Sequence, residues 1–158
     1  MNKILLTIFA CTAIITALFA QEPNPLPPAP DKDPFVGTWQ ANQNKSTPAL
    51  TERGASYARR ITRDGKDLVF SSRVGTSKPR YSEYRIRCDG LFHSTPFGSL
   101  SCRYTSPNRV EGETILKTHE TEFWAREVSA DGQEMRISAY SDNRRTKLKS
   151  ESVLDRVK

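Results

Sequence analysis

The sequence predicts an all-β protein built as an antiparallel up-and-down barrel of about eight strands. Three Asp-Gly pairs, which begin at Asp64, Asp89 and Asp131, favour tight hairpin turns, because both central residues of a type I′ turn need positive φ. Segments in which apolar and polar residues alternate flank these pairs, as expected of strands with one buried face. No segment after residue 35 keeps a 3.6-residue apolar period, so the pattern favours strands over helices.

The predicted strands follow one another with connections short enough for a meander. Residues 56–63 and 67–74 form one predicted hairpin, and residues 122–129 and 134–141 form another. Between them lie further strands, joined by a loop that holds the second Asp-Gly pair. One short helix is predicted between residues 46 and 56, because Ser46 or Thr47 can cap it, Pro48 suits its first turn and Gly54 its end.

Residues 1–20 have the pattern of a secretory signal peptide. Lys3 supplies the positive charge, an uncharged apolar run follows from residue 4 to 19, and Ala20 is a small residue at the cleavage point. The alternative is an uncleaved N-terminal anchor. Residues 21–34 hold six prolines, a density that favours an extended linker. The predicted organisation is therefore a signal peptide over 1–20, a Pro-rich linker over 21–34 and one barrel domain over 35–158.

Cysteine content agrees with export. Cleavage would remove Cys11 and leave Cys88 and Cys102, and two cysteines in an exported chain predict one disulfide. A reactive thiol pair is the alternative, although no Cys-x-x-Cys motif is present. We therefore expect a secreted or periplasmic protein, with no stable membrane span after cleavage.

The chain is basic, with a formal net charge of +6 of which the predicted signal peptide contributes only Lys3. Outside the cytoplasm we expect no nucleic-acid partner, and we expect a monomer. The arginines are interpreted as a solvated basic face. The alternative is a docking surface for an anionic envelope component. They form one early group and one late basic group: Arg53, Arg59, Arg60, Arg63, Arg73, Arg80, Arg85 and Arg87, then Arg144, Arg145, Lys147 and Lys149.

The inward-facing rows of the predicted strands mix large apolar residues with small ones. An eight-stranded barrel is just wide enough to be filled by side chains or to hold one small ligand, and small inward residues favour the ligand. The alternative is that large neighbours fill the same space. The candidate ligand-binding residues lie on these rows or in the loop after the second Asp-Gly pair, and they are Phe70, Ser72, Tyr84, His93, Gly112 and Leu116.

No catalytic set is evident. His93 and His119 are the only histidines, and neither lies in a metal-ligand spacing. Glu111 and Glu113 share the outward face of a predicted strand rather than a cleft, and no Gly-x-Ser-x-Gly motif is present. We therefore expect no enzymatic activity, no cofactor and no metal site.

The segment from Asp33 to Asn42, which contains Gly37-Thr38-Trp39 and precedes Lys45-Ser46, resembles the first strand of lipocalin-like proteins exported by environmental bacteria. Residues 88–90, 101–103 and 126–135 are similar to later parts of the same group, so the resemblance covers residue 33 to the C-terminus. In the wider calycin superfamily, the tryptophan of a Gly-x-Trp closes one end of the barrel beneath an arginine of the last strand. The resemblance therefore implies a lipocalin-like barrel closed by Gly37, Trp39 and Arg156.

These observations predict an exported lipocalin-like binding protein for a small hydrophobic or amphipathic molecule. The alternative is a non-catalytic barrel that docks through its basic surface on an anionic envelope component. The bacterial group that the chain resembles implies no settled activity, so the ligand is not identified by the resemblance.

Overall fold

Ten antiparallel strands make up the fold. The computed structural model describes residues 32–47, 57–74 and 80–157, and within these ranges it contains no helix. It follows that the described part has no helix long and apolar enough to cross a membrane. The strands are β1 (Gly37–Thr47), β2 (Ala58–Asp64), β3 (Asp67–Val74), β4 (Arg80–Arg87), β5 (Asp89–Thr95), β6 (Gly98–Ser106), β7 (Arg109–Leu116), β8 (Thr121–Val128), β9 (Glu134–Tyr140) and β10 (Leu148–Val157).

The strands form one sheet in the order β4-β3-β2-β1-β10-β9-β8-β7-β6-β5. Neighbours in sequence pair along this order, and β1 pairs with β10, which curls the sheet into a nearly closed barrel. Strands β4 and β5 lie at the two ends of the order and are joined through the single residue Cys88. A disulfide from Cys88 to Cys102 ties this junction to β6. The predicted all-β barrel and the predicted disulfide are both confirmed.

The barrel has ten strands rather than about eight, because the second Asp-Gly pair is not a hairpin turn. Gly90 has a φ of 82° but lies inside β5, where the pairing with β6 is irregular between Asp89 and Phe92. A glycine with positive φ serves a β-bulge as well as a turn, so the pair bends the strand instead of ending it. The chain turns from β5 to β6 at Pro96 and Phe97, which lie between the two strands.

The helix predicted between residues 46 and 56 is wrong at its start. Strand β1 continues to Thr47, and its pairing with β10 shifts between Asn42 and Thr47. The Ser46 hydroxyl donates to the carbonyl of Asn42 at 2.7 Å and accepts from the amide of Val153 at 3.0 Å. Ser46 therefore bridges an irregular part of the β1–β10 ladder instead of capping a helix. Residues 48–56 lie outside the described ranges, as do the predicted signal peptide and most of the predicted linker.

Trp39, which the resemblance predicts to close one end of the barrel, is fully buried. The guanidinium of Arg156 lies 4.1 Å from the centre of the Trp39 ring, within range of a cation–π contact. Arg156 also donates to the carbonyls of Pro34 at 2.7 Å and Gly132 at 2.5 Å. At Gly37, a Cβ atom would lie 2.2 Å from Nη1 of Arg156, so only glycine leaves room for the guanidinium. The three residues that the resemblance singled out therefore meet at one place.

The buried carboxylate of Asp33 joins the segment before β1 to β2 and β6. The Asp33 side chain is 1% exposed and accepts hydrogen bonds from Arg63 and Tyr104, while Arg63 also donates to the Tyr104 hydroxyl at 3.1 Å. Burial, followed by the hydrogen bond to Asp33, raises the pKa of Tyr104 well above its ordinary value. Phe35 packs edge-on against Tyr104, and both belong to the hydrophobic core.

Candidate functional site

Two arginines extend into the interior of the barrel, Arg59 from β2 and Arg126 from β8. Both contact the buried ring of Phe70 on β3, with guanidinium-to-centroid distances of 5.3 Å and 4.7 Å respectively. The strands β2 and β8 are not neighbours in the sheet. The contacts therefore run through the barrel interior, and they bring two positive charges to one aromatic ring.

Arg126 is 7% exposed and lies between two aromatic rings, at 4.7 Å from the centre of Phe70 and 4.6 Å from that of Trp124. Its Nη2 reaches the hydroxyl of Tyr84 at 3.5 Å, the outer limit of a hydrogen bond. Its Nε and Nη1 are buried and have no hydrogen-bond partner among the described residues. A buried, unsatisfied donor costs about 1–3 kcal/mol, so this side chain lowers the free energy of unfolding of the protein.

Arg59 is half-buried and, like Arg126, contacts one hydroxyl and two aromatic rings. Its Nε donates to the Ser72 hydroxyl at 3.2 Å, and that hydroxyl lies 3.3 Å from the hydroxyl of Tyr57. The Arg59 guanidinium also lies 5.0 Å from the centre of the Tyr57 ring. Its Nη1 is buried without a hydrogen-bond partner in the described part of the chain. Together with Nε and Nη1 of Arg126, three guanidinium nitrogens of this cluster thus lack acceptors within the described ranges.

The electrostatics of the cluster favour negative charge. Burial opposes ionisation of the Tyr84 phenol, yet the charges of Arg126 and Arg59 outweigh burial and lower the pKa of Tyr84 below its ordinary value. Burial, and after it the charge of Arg59, lowers the pKa of Arg126. A guanidinium is not deprotonated in proteins at neutral pH, so Arg126 stays charged there. No Asp or Glu among the described residues pairs with either guanidinium.

Strand alternation explains why these arginines face inward. On β8, Arg126 has the same phase as buried Trp124 and Val128, and on β2, Arg59 has the same phase as buried Ile61. The sequence-based interpretation placed Arg59 on a solvated basic face, which is wrong for this residue and ignored Arg126. The available signal was an arginine in register with apolar neighbours on a predicted strand.

Three of the six predicted ligand-binding residues belong to this cluster. Phe70 is 1% exposed and stacks on Tyr84, with ring centres 5.1 Å apart and nearly parallel planes. Ser72 is the hydroxyl that Arg59 and Tyr57 share. Tyr84 also packs edge-on against Phe97, which follows β5. The half-buried rings of Tyr57, Tyr84 and Phe97 make the partly apolar surroundings of the guanidiniums.

The other three predicted residues lie elsewhere. The inward side of Gly112 is covered by the Trp124 ring, and a Cβ there would lie 2.3 Å from Cζ2 of that ring. The missing side chain of Gly112 makes room for the Trp124 ring. This position therefore leaves no space for a ligand. Leu116 is half-buried at the end of β7, where its amide donates to the carbonyl of Glu120. His93 is half-buried on β5, and its Nε2 lies 2.8 Å from the Asp89 carboxylate.

Glu111 on β7 lies in ion pairs with arginines. Glu111 pairs with Arg109 at 3.0 Å and with Arg145 at 3.5 Å. His119 is exposed in the turn after β7, with a φ of 67°. Within the described ranges there is also no group of three or more His, Cys, Asp or Glu residues placed to hold a metal ion. The guanidinium cluster is therefore the candidate site.

Comparison with solved structures shows that the fold is similar to that of several known proteins. A mutant of the fluorescent protein UnaG has a TM-score of 0.58 at 10% identity, covering 79% of this chain and 97% of that one. A mutant of the REP1-NXSQ fatty acid transporter has a TM-score of 0.52 at 14% identity, covering 77% and 97%. Lipid binding protein 8 of Caenorhabditis elegans has a TM-score of 0.52 at 14% identity, covering 78% and 96%.

Sequence comparison adds nothing to this result: neither the protein-family models nor the curated proteins contain a match. At identities of 10% and 14%, the structural likeness shows the fold alone. Two of these proteins transport fatty acids or bind lipids, as their names state. What this chain binds has to be argued from its own residues.

Proposed function

We propose that this chain is an exported carrier that binds one small amphipathic molecule inside its barrel, with an acidic group of that molecule against Arg59 and Arg126. The observation that carries the proposal is the set of three buried guanidinium nitrogens without acceptors among the described residues. Oxygen atoms of a bound acid would supply the missing acceptors, and charge-assisted hydrogen bonds of this kind are about twice as strong as neutral ones. No catalytic step is part of the proposal.

The aromatic residues around the guanidiniums suit the apolar part of such a molecule. Tyr84, Phe97 and Tyr57 are only half-buried although they pack on the core, so their rings offer apolar surface to a ligand. Burying apolar surface contributes about 25 cal/mol per Å², so a ligand with a short alkyl chain gains several kcal/mol here. Lipid-binding barrels among the structural neighbours support this kind of ligand.

Export is supported by the disulfide between Cys88 and Cys102, because disulfides form and persist outside the reducing cytoplasm. The signal peptide predicted over residues 1–20 supplies the route. Mass spectrometry of the protein recovered from its own cells tests both points at once. We expect a chain that begins near Gln21 with its two remaining cysteines oxidised, and an intact N-terminus with free thiols would contradict export.

The binding proposal is tested with two variants that lose the same charge. Arg126→Met removes the buried guanidinium, while Arg103→Met removes an exposed one on β6. Calorimetric titration with decanoate and with decanol then compares the acid with its neutral analogue. We expect decanoate to bind the parent and Arg103→Met equally, and to bind Arg126→Met at least about tenfold more weakly, which is a loss of about 1.4 kcal/mol. Equal decanoate affinity in all three proteins would refute the role of Arg126.

One observation favours the alternative of a docking surface. A shallow groove on the outer face of β1 to β3 is lined in part by Arg60 and Arg73, both exposed. Other outward arginines are neutralised, for instance Arg85 by Asp64 and Arg87 by Asp67. Docking through the groove predicts binding to anionic vesicles that weakens steeply with salt, because the Debye length falls from about 10 Å at 0.1 M to about 3 Å at 1 M. Retention that is unchanged by salt would count against it.

A further inference from the structure

The two positive charges of the interior cluster favour a ligand group with more than one negative charge. Arg59 and Arg126 together carry two positive charges, and both touch the ring of Phe70. A ligand with one negative charge would neutralise one guanidinium and leave the other, buried Arg126 or half-buried Arg59, without a counter-charge among the described residues. Removing one member of a buried ion pair typically costs about 3–5 kcal/mol, so a buried charge without a counter-charge is a large penalty.

The number of guanidinium nitrogens without acceptors within the described ranges also favours a doubly charged group. Nε and Nη1 of Arg126 and Nη1 of Arg59 are the three buried nitrogens of this cluster without acceptors among the described residues. A phosphate monoester carries two negative charges above its second pKa of about 6, and it has three terminal oxygens. Charge and donor count therefore both match one chemical group.

The surroundings of the cluster agree with a positive potential. Tyr84 is packed between Phe70 of β3 and Phe97, with Arg126 of β8 at its hydroxyl, and the charge of Arg59 on β2 also acts on it. Among the described residues, the other titratable group in contact is Tyr57, whose hydroxyl meets that of Ser72. Two phenols thus face two guanidiniums, and the pKa of Tyr84 is lowered although burial opposes its ionisation.

Building on the proposed function, we infer that the acidic end of the ligand carries two negative charges on one centre, as in an alkyl phosphate monoester. The alkyl part occupies the aromatic surroundings, and the phosphate oxygens accept from the three open nitrogens. A geminal dicarboxylate offers the same charge and is the second chemical source of this head group. Inorganic phosphate lacks the apolar part and binds much more weakly.

Decyl sulfate and decyl phosphate form a matched pair, because both end in a tetrahedral centre with three terminal oxygens. Only the phosphate gains a second negative charge. Calorimetric titration of the oxidised protein at pH 8 is expected to show decyl phosphate binding at least about tenfold more tightly than decyl sulfate. At pH 5 the phosphate is singly charged, and the difference should shrink to about twofold or less. Decylmalonate, inorganic phosphate and decanol complete the series.

The variants Arg59→Gln and Arg60→Gln assign the effect to the interior. They lose the same charge at adjacent positions, but Arg59 faces inward and Arg60 is exposed. Arg59→Gln should abolish the preference for phosphate over sulfate while Arg60→Gln keeps it. If Arg59→Gln does not fold, as judged by circular dichroism, the sulfate–phosphate comparison on the parent at two pH values still decides.

Each outcome has a distinct meaning. Equal binding of decyl sulfate and decyl phosphate at pH 8 overturns the doubly charged head group and leaves the proposed acid carrier intact. Decanol binding as tightly as both anions overturns the acidic group as well. Absence of binding by every alkyl compound overturns the proposed carrier function itself. Inorganic phosphate binding as tightly as decyl phosphate would show that the free ion, rather than an amphipathic ester, is the ligand.

Discussion

Arg126→Met should make the ligand-free protein more stable. The variant removes two buried N–H donors without acceptors in the described part of the chain, which relieves about 1–3 kcal/mol each. It also loses the contacts with the rings of Phe70 and Trp124, at about 0.5–2 kcal/mol each. The balance is a gain of about 1–2 kcal/mol, in the range seen when buried charges are replaced by apolar residues of similar volume. For a domain of this size the melting temperature should rise by about 3–8 °C.

Urea unfolding under non-reducing conditions, followed by far-ultraviolet circular dichroism, measures this change. The midpoint should increase while the slope stays constant, because the surface exposed on unfolding hardly changes. Arg103→Met, exposed on β6, is the control and should stay within about 0.5 kcal/mol of the parent. A midpoint below that of the parent would refute the reasoning, since the guanidinium would then have a stabilising partner within the chain.

Three further predictions concern the scaffold. Gly112→Ala places a Cβ 2.3 Å from the Trp124 ring, so it should cost about 1–3 kcal/mol and alter the near-ultraviolet circular dichroism; an unchanged spectrum would contradict it. Replacing Cys88 and Cys102 with serine should cost about 3 kcal/mol, as expected for a loop with 14 residues of separation, and reduction of the parent should have the same effect; equal urea midpoints would exclude it. The raised pKa of Tyr104 means that the folded state keeps a proton that the unfolded state releases near pH 10.0, so stability is complete below that pH and falls above it. Urea midpoints at pH 8 and pH 11 should show this loss, and Tyr104→Phe should lose less over the same interval; identical losses in both proteins would rule it out.

Much of the scaffold could be predicted because its signals are local. The Asp-Gly pairs at residues 64 and 131 do mark turns between paired strands, with positive φ at Gly65 and Gly132. The predicted type I′ geometry is wrong, because neither Asp64 nor Asp131 has positive φ and a type I′ turn needs it at both central positions. Alternation within each segment fixes which side chains face inward, since a strand has a period of two. The second pair at Asp89 follows the same local rule, yet whether its positive φ makes a turn or a bulge depends on the strand that pairs beside it.

Half of the predicted ligand-binding residues lie in the candidate site, for the same reason. Phe70, Ser72 and Tyr84 were singled out as small or aromatic residues on inward rows, and they lie together because β3 pairs with β4 and β2. Gly112 was singled out by the same logic, but its neighbour Trp124 on β8 covers it. The identity of the residue across a strand pair decides whether a small side chain leaves a space or is filled.

The sequence alone therefore determined the β class, the place of most turns and the disulfide, because these depend on residues close in the chain or on the redox setting of paired cysteines. Only the tertiary structure decided that Arg59 and Arg126 meet at Phe70, since they are 67 positions apart and reach the same ring across the barrel interior. Their contact depends on how the sheet curls and on the β1–β10 pairing that closes it. Alternation along a strand can indicate that an arginine faces inward, but it does not indicate which residues of distant strands lie opposite it.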